Sequence, residues 1–501
     1  MAIINDKDFP LLPSQDGKQR PRTRAHVNTA NMRRKGGLDA SLIDLPDELI
    51  LEILEHLPGN SSRSDLRTLL DLSLTNRRFY RIVIERIYER YESYYREPYK
   101  FLRTMILKPE LADLVHDVDI SFTACMGQRR TPTAQDKKIV KEGLRALATP
   151  GWKDWAANCN SKDKGDETVY KAILFYTRNI KSLRIDGDIH ASSRSVDWFE
   201  VFGNTTAGIL SDQAHGFQHL RSVSIENTSA SIIQLAPLFR LQSLQTLQIR
   251  NTDCWTAGDG HAPRLQRLIP RACNNIESLI LYESFYAKRI LNILLASSQK
   301  LVYFLYDITN DDDAEVPLSR DEASLSLSQA LAYQKSSLEG IDVYSEHYSE
   351  ELYVDVHLRD SLKDFSVLKS ITCSLSKVAS NNSDTLVQRL PPSLLKFRAY
   401  IRQYTYDEDC IEALEHMIAN YQSHTPQLQE IIVAASPSLE TYNWLKYDWS
   451  RLVQLSSKTG LSFKVDRQGD DNDDDFSSNW EGGHSVSSPS SDEVDLYSDD
   501  E

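Results

Sequence analysis

The chain has 501 residues, of which 41% are hydrophobic, and a formal net charge of −15. This length exceeds what one hydrophobic core usually supports, so we expect several domains or a repeat array. The negative charge argues against nucleic-acid binding, because Lys and Arg contacts to phosphate supply most nonspecific affinity. Apolar runs such as ILNILLA are far shorter than the roughly 20 residues that cross a bilayer, so we expect no membrane span.

Cysteine spacing and short motifs argue against several kinds of active site. The six cysteines lie far apart without a C-x-x-C pair, which argues against a zinc site or a thiol redox motif. The sequence has no Gly-rich phosphate loop, no G-x-S-x-G elbow and no H-E-x-x-H helix. We therefore expect no metal, no cofactor and no catalytic residue.

The first 40 residues are basic and poor in apolar side chains. They carry eight Lys or Arg against four Asp or Glu, and they lack the apolar segment of a secretory signal. This composition predicts a disordered basic tail over residues 1–40. Its basic clusters either form a nuclear import signal or only keep the tail solvated. We expect the protein in the cytoplasm, in the nucleus or in both.

The stretch LPDELILEILEHL predicts a helix from about Pro46 to Leu57, with Asp44 as a candidate N-cap. One apolar stripe has members four residues apart: Leu45, Leu49, Ile53 and Leu57. Other apolar residues lie off this stripe: Ile50, Leu51 and Leu54. A helix that is apolar on more than one side must be covered by something else.

A second and a third helical segment follow in DLRTLLDLSLTNRRFYRIVIERIYERY. Three short helices are too small a unit to bury all these apolar faces, so the pattern indicates a partner protein. The alternative is a helical cap that docks on the region that follows.

A repeated pattern, L/I-x-x-φ-x-φ with φ apolar, fills the middle of the chain. Its copies are VHDVDI from Val115, IKSLRI from Ile180, LRSVSI from Leu220, LQTLQI from Leu244, IESLIL from Ile276, LVYFLY from Leu301, LEGIDV from Leu338, LKSITC from Leu368, LLKFRA from Leu394, LQEIIV from Leu428 and a degenerate LSFKV from Leu461. The alternation in each copy predicts a short strand. Segments such as AKRILNILLAS, between the copies, have helical spacing.

Strand and helix in alternation predict a parallel sheet with helices on one side, as in a leucine-rich-repeat solenoid. We place this solenoid at 98–466, with an insertion at about 122–178 that fits one full repeat plus an inserted helical segment. The repeats are irregular, and the Asn that commonly follows the strand is visible only at Asn227 and Asn251. An ordinary α/β domain with parallel strands is the alternative.

The candidate partner-binding positions lie on the non-core side of these strands, but the sequence identifies no substrate. They are Arg184, Asp186, Ser224, Glu226, Gln248, Arg250, Tyr282, Tyr306, Asp342 and Tyr344. Residues 467–501 carry twelve acids and one Arg, which predicts a disordered acidic tail.

Residues 41–90 resemble an F-box. The matching residues are Leu45, Pro46, Glu48, Leu49, Ile53 and Leu57, then Leu69, Leu70, Leu72, Ser73, Arg77, Phe79 and Arg81. The sequence departs from the family in a longer loop, PGNSSRSDLRT, in Asn76 where Cys is common, and in Phe79 where Trp is commoner. Together with the repeats, the chain resembles the F-box proteins with leucine-rich repeats of filamentous fungi.

The resemblance implies a fold and a function. The fold is α/β: a small helical F-box, an irregular leucine-rich-repeat solenoid and two disordered tails. The chain would be the non-catalytic substrate receptor of a ubiquitin ligase, binding a Skp-type adaptor and, through it, a cullin RING ligase. The implied adaptor contacts are Leu45, Pro46, Leu49, Ile53, Leu57, Leu72 and Phe79. An adaptor-binding scaffold outside a cullin ligase is the alternative.

Overall fold

The computed structural model describes residues 45–56, 63–94, 97–122, 132–147, 151–160, 165–187, 199, 201–203, 216–228, 230–252, 261–284, 286–308, 324–344, 355–358, 360–378, 386–401, 408–435 and 449–466. Both predicted tails, at 1–40 and 467–501, lie outside these residues. The chain divides into two compact units, Met1–Val356 and His357–Glu501. The predicted domain boundaries stay predictions.

Three helices open the first unit: α1 (Asp47–Glu55), α2 (Arg63–Thr75) and α3 (Arg77–Glu89). The first helix begins one residue after Pro46, whose carbonyl accepts the first helical hydrogen bond, from Ile50 N at 3.2 Å. The helix is therefore slightly shorter than predicted, and Asp44 lies outside the described residues. The predicted long loop is wrong in its second half, because α2 already begins at Arg63.

The third helix runs directly into the first strand, without a linker. Arg90 follows α3 with extended backbone angles, φ −122° and ψ 132°, and is the first residue of β1 (Arg90–Glu92). Tyr91 in β1 is fully buried, and its ring centroid lies 4.2 Å from that of Phe101. The three-helix region is thus continuous in backbone and core with the sheet.

The sheet of the first unit is parallel, and each of its strands pairs with the next. After β1 its strands are β2 (Asp117–Ser121), β3 (Ser182–Asp186), β4 (Ser222–Thr228), β5 (Thr246–Thr252), β6 (Ser278–Tyr282), β7 (Tyr303–Asp307) and β9 (Gly340–Tyr344). Two short strands stand apart from this order: β8 (Ser324–Ser326) and β10 (Asp355–His357).

Helices fill most connections between these strands. They are α4 (Pro98–Leu107), α5 (Pro109–Ala112), α6 (Ala134–Ala146), α7 (Trp152–Cys159), α8 (Gly165–Tyr176), α9 (Ile232–Leu235), α10 (Ala262–Leu268), α11 (Lys288–Ser297) and α12 (Leu327–Ala330), with 3-10 turns at Leu238–Arg240 and Leu331–Gln334. Their apolar sides are buried together with alternate strand residues, such as Leu247, Ile249 and Phe304.

The second unit repeats this architecture on a smaller scale. Its parallel strands β11 (Ser370–Ser374), β12 (Lys396–Ile401), β13 (Glu430–Ala435) and β14 (Ser462–Asp466) pair in chain order. Its helices are α13 (Leu375–Val378), α14 (Leu386–Arg389), α15 (Glu408–His424) and α16 (Ser450–Thr459).

The predicted order of a small helical region followed by an α/β region with parallel strands is confirmed. All eleven segments with the repeated pattern contain parallel strands of the two units. The predicted extra repeat between Val115 and Ile180 is wrong, because β2 pairs directly with β3, with Val118 opposite Leu183. The described part of this insertion consists of helices α6, α7 and α8.

Candidate functional site

Helix α1 has two apolar sides, and the structure buries only one of them. Ile50 and Leu54 are 1% and 5% exposed, respectively. Leu49, Leu51 and Ile53 remain 44%, 45% and 44% exposed. Leu49 and Ile53 lie one turn apart on the same side of α1, whereas Leu51 lies on the other flank of the buried stripe. Leucine and isoleucine are usually buried, so the exposed pair Leu49 and Ile53 indicates a surface that a partner covers.

Helix α2 also has an exposed leucine. Leu74 is 55% exposed, while Leu69 on the same helix is 2% exposed. In α3, by contrast, Phe79, Ile82 and Val83 are buried and form the interior of the three-helix region. We call the exposed residues Leu49 and Ile53 on α1 the apolar surface.

An arginine-carboxylate cluster ties α1 to α3. Arg78 Nε donates to Asp47 Oδ1 at 2.6 Å, and Arg81 lies 3.2 Å from Asp47 Oδ2. Arg78 also donates to the carbonyl oxygen of Leu45. The hydrogen bond from Arg78, together with the nearby positive charges, holds the pKa of Asp47 below its ordinary value despite partial desolvation. These contacts fix the start of α1, and with it the surface that α1 exposes.

The start of α3 is fixed by Asn76. Its side-chain oxygen accepts a hydrogen bond from Phe79 N at 2.9 Å, which caps the helix. Asn is among the best N-cap residues, and loss of such a cap commonly costs about 1 kcal/mol. The departure from the family residue at this position therefore has a local structural reason.

The structure places the predicted adaptor contacts in three different environments. Leu49, Ile53 and Pro46 are exposed, while Leu45 and Leu72 are half-buried. Phe79 is only 3% exposed and faces the interior, and Leu57 lies outside the described residues. The structure thus brings Leu49 and Ile53 to one surface and keeps Phe79 away from it.

The sequence interpretation did not single out four residues of this region. It treated Leu51 as one of several apolar residues and did not single out Leu74. It also missed Asp47 and Arg78, which join two segments 31 residues apart. An acid in the first turn of a helix is ordinary, so nothing in the sequence indicated that Asp47 binds α3.

The family comparison matches this three-helix region. Residues 42–88 fit the model of the F-box domain. The chain contains an F-box domain. The match lies within the predicted range of 41–90 and ends where α3 approaches β1. A search of the curated proteins found no match to the chain.

Two classes of site are absent from the described part of the chain. None of its helices is long and apolar enough to cross a membrane. Its side chains include no group of three or more His, Cys, Asp or Glu that could hold a metal ion.

The second candidate surface is the outward face of the sheet in the first unit, formed by strand positions that alternate with the core. Paired strands bring Arg184, Ser224 and Gln248 into one row across this face. A neighbouring row contains Asp186, Glu226 and Arg250. Most residues of these rows are half-buried or exposed, so solvent reaches this face.

Tyr306 does not belong to the outward face, and its listing among the candidates is wrong. It pairs in register with Leu281 and Val343, is fully buried, and accepts a hydrogen bond from Tyr286 N at 3.1 Å. In the strand YFLYD the core residues are Phe304 and Tyr306, so Tyr306 lies on the inner side of the sheet.

The outward face of the first unit is acidic. Its strands place seven carboxylates at outward positions: Glu92, Asp117, Asp119, Asp186, Glu226, Asp307 and Asp342. Only three cations share these rows: Arg90, Arg184 and Arg250. Burial raises the pKa values of Asp117 and Asp119, although nearby arginines oppose this shift.

Asparagines line the end of this face. Asn227 and Asn251 have φ values of 52° and 45°, in the left-handed region that Asn tolerates better than most residues. Asn227 Nδ2 donates to Asp186 Oδ1 at 3.0 Å, and Asn251 Nδ2 donates to Asn227 Oδ1 at 3.4 Å. The two asparagines seen in the repeat pattern therefore link consecutive strands.

Proposed function

We propose that this protein is the substrate-recognition subunit of a Skp-cullin-F-box ubiquitin ligase. F-box domains bind Skp-type adaptors, and the chain has such a domain at residues 42–88. The observation that carries the proposal is the apolar surface, whose two members are each 44% exposed. A partner that covers Leu49 and Ile53 would remove this surface from water.

The continuity of the F-box with the sheet supports a role in presenting a substrate. Helix α3 passes into β1 at Arg90, and Tyr91 packs against Phe101 below the sheet's first strands. A rigid connection of this kind holds a bound protein at a fixed distance from the adaptor. Fixed geometry favours transfer to a substrate because it raises the effective concentration of the reacting groups.

We further propose that the α/β region is an irregular leucine-rich-repeat array whose outward sheet face receives the substrate. The repeated L/I-x-x-φ-x-φ strands and the hydrogen-bonded Asn227 and Asn251 support this assignment. A subunit of such a ligase acts in the cytoplasm or the nucleus, which is the localisation that we propose.

The experiment is co-purification of the full chain with a Skp-type adaptor and a cullin. The test variant is Leu49→Glu with Ile53→Glu, because a charge buried at an interface without a partner is strongly unfavourable. The matched control is Leu107→Glu with Val453→Glu, which adds two charges at apolar positions that are 57% and 45% exposed outside the F-box. Phe79 is a poor test position, because its truncation would leave a cavity in the F-box and destabilise it.

We expect the wild type and the control variant to bind adaptor and cullin, and the F-box variant to bind neither. Adaptor binding without cullin would favour the alternative, a scaffold outside the ligase. If well-folded wild-type protein binds neither partner, the proposed function is wrong, and the apolar surface then serves another contact.

A further inference from the structure

Four neighbouring strands of the first unit carry no charged residue at their first two outward positions. Strands β4 to β7 follow one another in the sheet, and their pairing aligns these positions in two rows. Neighbouring strands lie about 4.8 Å apart, so the side chains share one continuous area, which we call the uncharged patch. Its members are Ser222, Thr246, Ser278 and Tyr303 in one row, and Ser224, Gln248, Ile280 and Leu305 in the other.

The charged residues at two borders of the patch have partners close by. On the β3 side, Arg184 lies 2.9 Å from Glu226, and Ser224 donates its hydroxyl proton to the same carboxylate at 3.0 Å. On the β9 side, Tyr303 donates its hydroxyl proton to Asp342 Oδ2 at 2.5 Å. These contacts hold the borders in place, while the patch itself offers no opposite charge to an ionic ligand.

The patch is apolar at one end and hydrogen-bonding at the other. At the apolar end Ile280 and Leu305 stand opposite each other in the register, with Ile280 half-buried. At the other end the half-buried side chains of Ser222, Thr246 and Gln248 carry hydroxyl and amide groups, which both donate and accept hydrogen bonds. An extended peptide has the same two needs, because its backbone is polar and its side chains can be apolar.

One buried hydroxyl lies in the middle of the patch. Ser278 on β6 stands between Thr246 and Tyr303 in the register and is 1% exposed. Its Oγ has no hydrogen-bond partner among the described residues. A buried hydroxyl without a partner is unfavourable, and a polar group that a ligand brings to this row would remove that penalty.

We infer that the uncharged patch binds an extended, uncharged segment of the substrate through one large apolar side chain, an inference that rests on the proposed function. A charged side chain placed over Ile280 and Leu305 would lose water without gaining an opposite charge within the patch. The patch thus selects against charged residues as well as for an apolar one. An apolar contact surrounded by hydrogen bonds is also the usual arrangement of a protein interface.

The test measures binding of short fluorescent Gly-Ser peptides to the full chain by polarisation. The peptides differ only in one central residue, which is Leu, Ser, Lys or Glu. The test variant is Ile280→Asp, and Ile280→Thr is a milder variant that keeps the β-branched shape favoured in strands. The matched control is Val453→Asp, which adds the same charge at an apolar position, 45% exposed, in the second unit. Thermal unfolding checks that each variant is folded.

We expect the wild type to bind the Leu peptide about tenfold more tightly than the Ser peptide, because one leucine side chain leaves water. The Lys and Glu peptides should bind no better than the Ser peptide. For the Leu peptide, Ile280→Asp should lose about tenfold in affinity, Ile280→Thr several-fold, and the control less than about twofold.

Three results would overturn the inference. The first is equal binding, or no binding, of the four peptides by the wild type. The second is tighter binding of the Lys peptide than of the Leu peptide, which would mean that the carboxylates of the face select the substrate. The third is equal affinity of folded Ile280→Thr and the wild type for the Leu peptide.

A further variant, Thr246→Val with Gln248→Leu, removes hydrogen-bonding groups from β5 without changing charge. We expect it to weaken the Leu and Ser peptides by the same factor, because these groups pair with the peptide backbone that both probes share. A loss confined to the Leu peptide would overturn the role given to β5.

The first residues of this chain are the competing occupant, because they include Ile3, Ile4 and Phe9. Full-length protein with Ile3→Ser, Ile4→Ser and Phe9→Ser tests them. An unchanged affinity for the Leu peptide supports an external partner, whereas a many-fold gain would overturn that assignment in favour of the chain's own segment. Peptide binding is measured without adaptor, so failure of adaptor binding and failure of peptide binding are scored separately.

Discussion

The outward strand positions of the two units, each unit taken by itself, balance charge differently. In the second unit, Glu430 lies 3.2 Å from Lys396 and 2.7 Å from Lys464, and Arg398 lies 2.5 Å from Asp466. Every charged residue at an outward strand position of that unit therefore has an opposite partner. In the first unit, seven carboxylates share the face with three arginines.

The arginines of the first unit are already paired with glutamates. Arg184 lies 2.9 Å from Glu226, and Arg90 lies 3.4 Å from Glu92. Asp117, Asp119 and Asp186 therefore share the face with arginines that already have glutamate partners. A balanced face stabilises its own fold, whereas an unbalanced face favours an oppositely charged partner.

The pKa shifts follow the same division. Burial alone would raise the pKa of Glu430, but hydrogen bonds and charges from Lys464 and Lys396 hold it below its ordinary value. On the first face, burial raises the pKa of Asp119, and Arg184 and Arg90 reduce that rise without reversing it. Charge on Glu430 thus stabilises its unit, and charge on Asp119 destabilises its unit.

The largest effect is expected from removing the cations of the balanced face. Lys396→Gln with Lys464→Gln leaves the Glu430 side chain, 20% exposed, without its two partners. We expect the free energy of unfolding to fall by about 1–3 kcal/mol, because a partly buried charge loses its hydrogen bonds. Urea unfolding, with hydrogen exchange of peptides from β12 to β14, measures this loss.

The control for that variant is Arg451→Gln with Lys458→Gln on helix α16, which removes two exposed cations. Arg451 is paired with Glu415 at 2.9 Å but is 79% exposed. Exposed ion pairs contribute little, so we expect a change below about 0.5 kcal/mol. An equal loss in both variants would mean that net charge, rather than pairing at Glu430, determines stability.

A smaller effect of opposite sign is expected from Asp119→Asn. The raised pKa of Asp119 means that its contribution to stability is fully present below the unfolded value, about 3.9, and is lost as pH rises through the folded value. At neutral pH the carboxylate is therefore unfavourable, and we expect the Asn variant to gain roughly 0.5 kcal/mol. Unfolding of the wild type and the Asn variant at pH 7 and in acid measures the difference in their free energies of unfolding. This difference should vanish in acid.

Glu430→Gln gives the matching comparison with the sign reversed. The lowered pKa of Glu430 means that its contribution is present above about 4.3 and is lost as pH falls through the folded value. This variant should be less stable than wild type at pH 7 and equal to it in strong acid. A loss at pH 7 in both Asp119→Asn and Glu430→Gln would contradict the proposed contrast between the faces.

Most strands were predictable because alternate residues of each strand are apolar and face the core. An apolar residue also precedes each strand in the chain. The exception is β1, which has three residues and continues the helical spacing of Ile87 and Tyr88 to Tyr91. Its extended backbone depends on pairing with β2, with Tyr91 opposite Val118. Such a tertiary contact overrides local spacing, and sequence periodicity does not contain it.

The F-box was predictable as a motif, but the environment of each residue was not. Helix α1 has apolar residues on two sides, and the sequence does not say which side is the core. The structure buries Ile50 and Leu54 and exposes Leu49 and Ile53. That choice depends on the packing of α1 against α3 and on the Asp47 to Arg78 contact, which joins distant parts of the sequence.

The smallest expected effect is a salt dependence that differs in sign between the two faces. Added salt screens repulsion among carboxylates such as Asp117, Asp119 and Asp186, and it also screens the attraction of Glu430 to its lysines. At roughly 0.5 M salt we therefore expect slower hydrogen exchange in peptides from β2 and β3 than at low salt, and faster exchange in peptides from β12 and β13. Each change should correspond to a few tenths of a kcal/mol, as for exposed or half-buried charges.

Sodium chloride is preferable to sulfate, because sulfate strengthens apolar burial throughout the protein and would slow exchange in both units. A shift of the same sign in both units would show that general salt effects outweigh the charge arrangement, and the contrast between the faces would then have no energetic consequence.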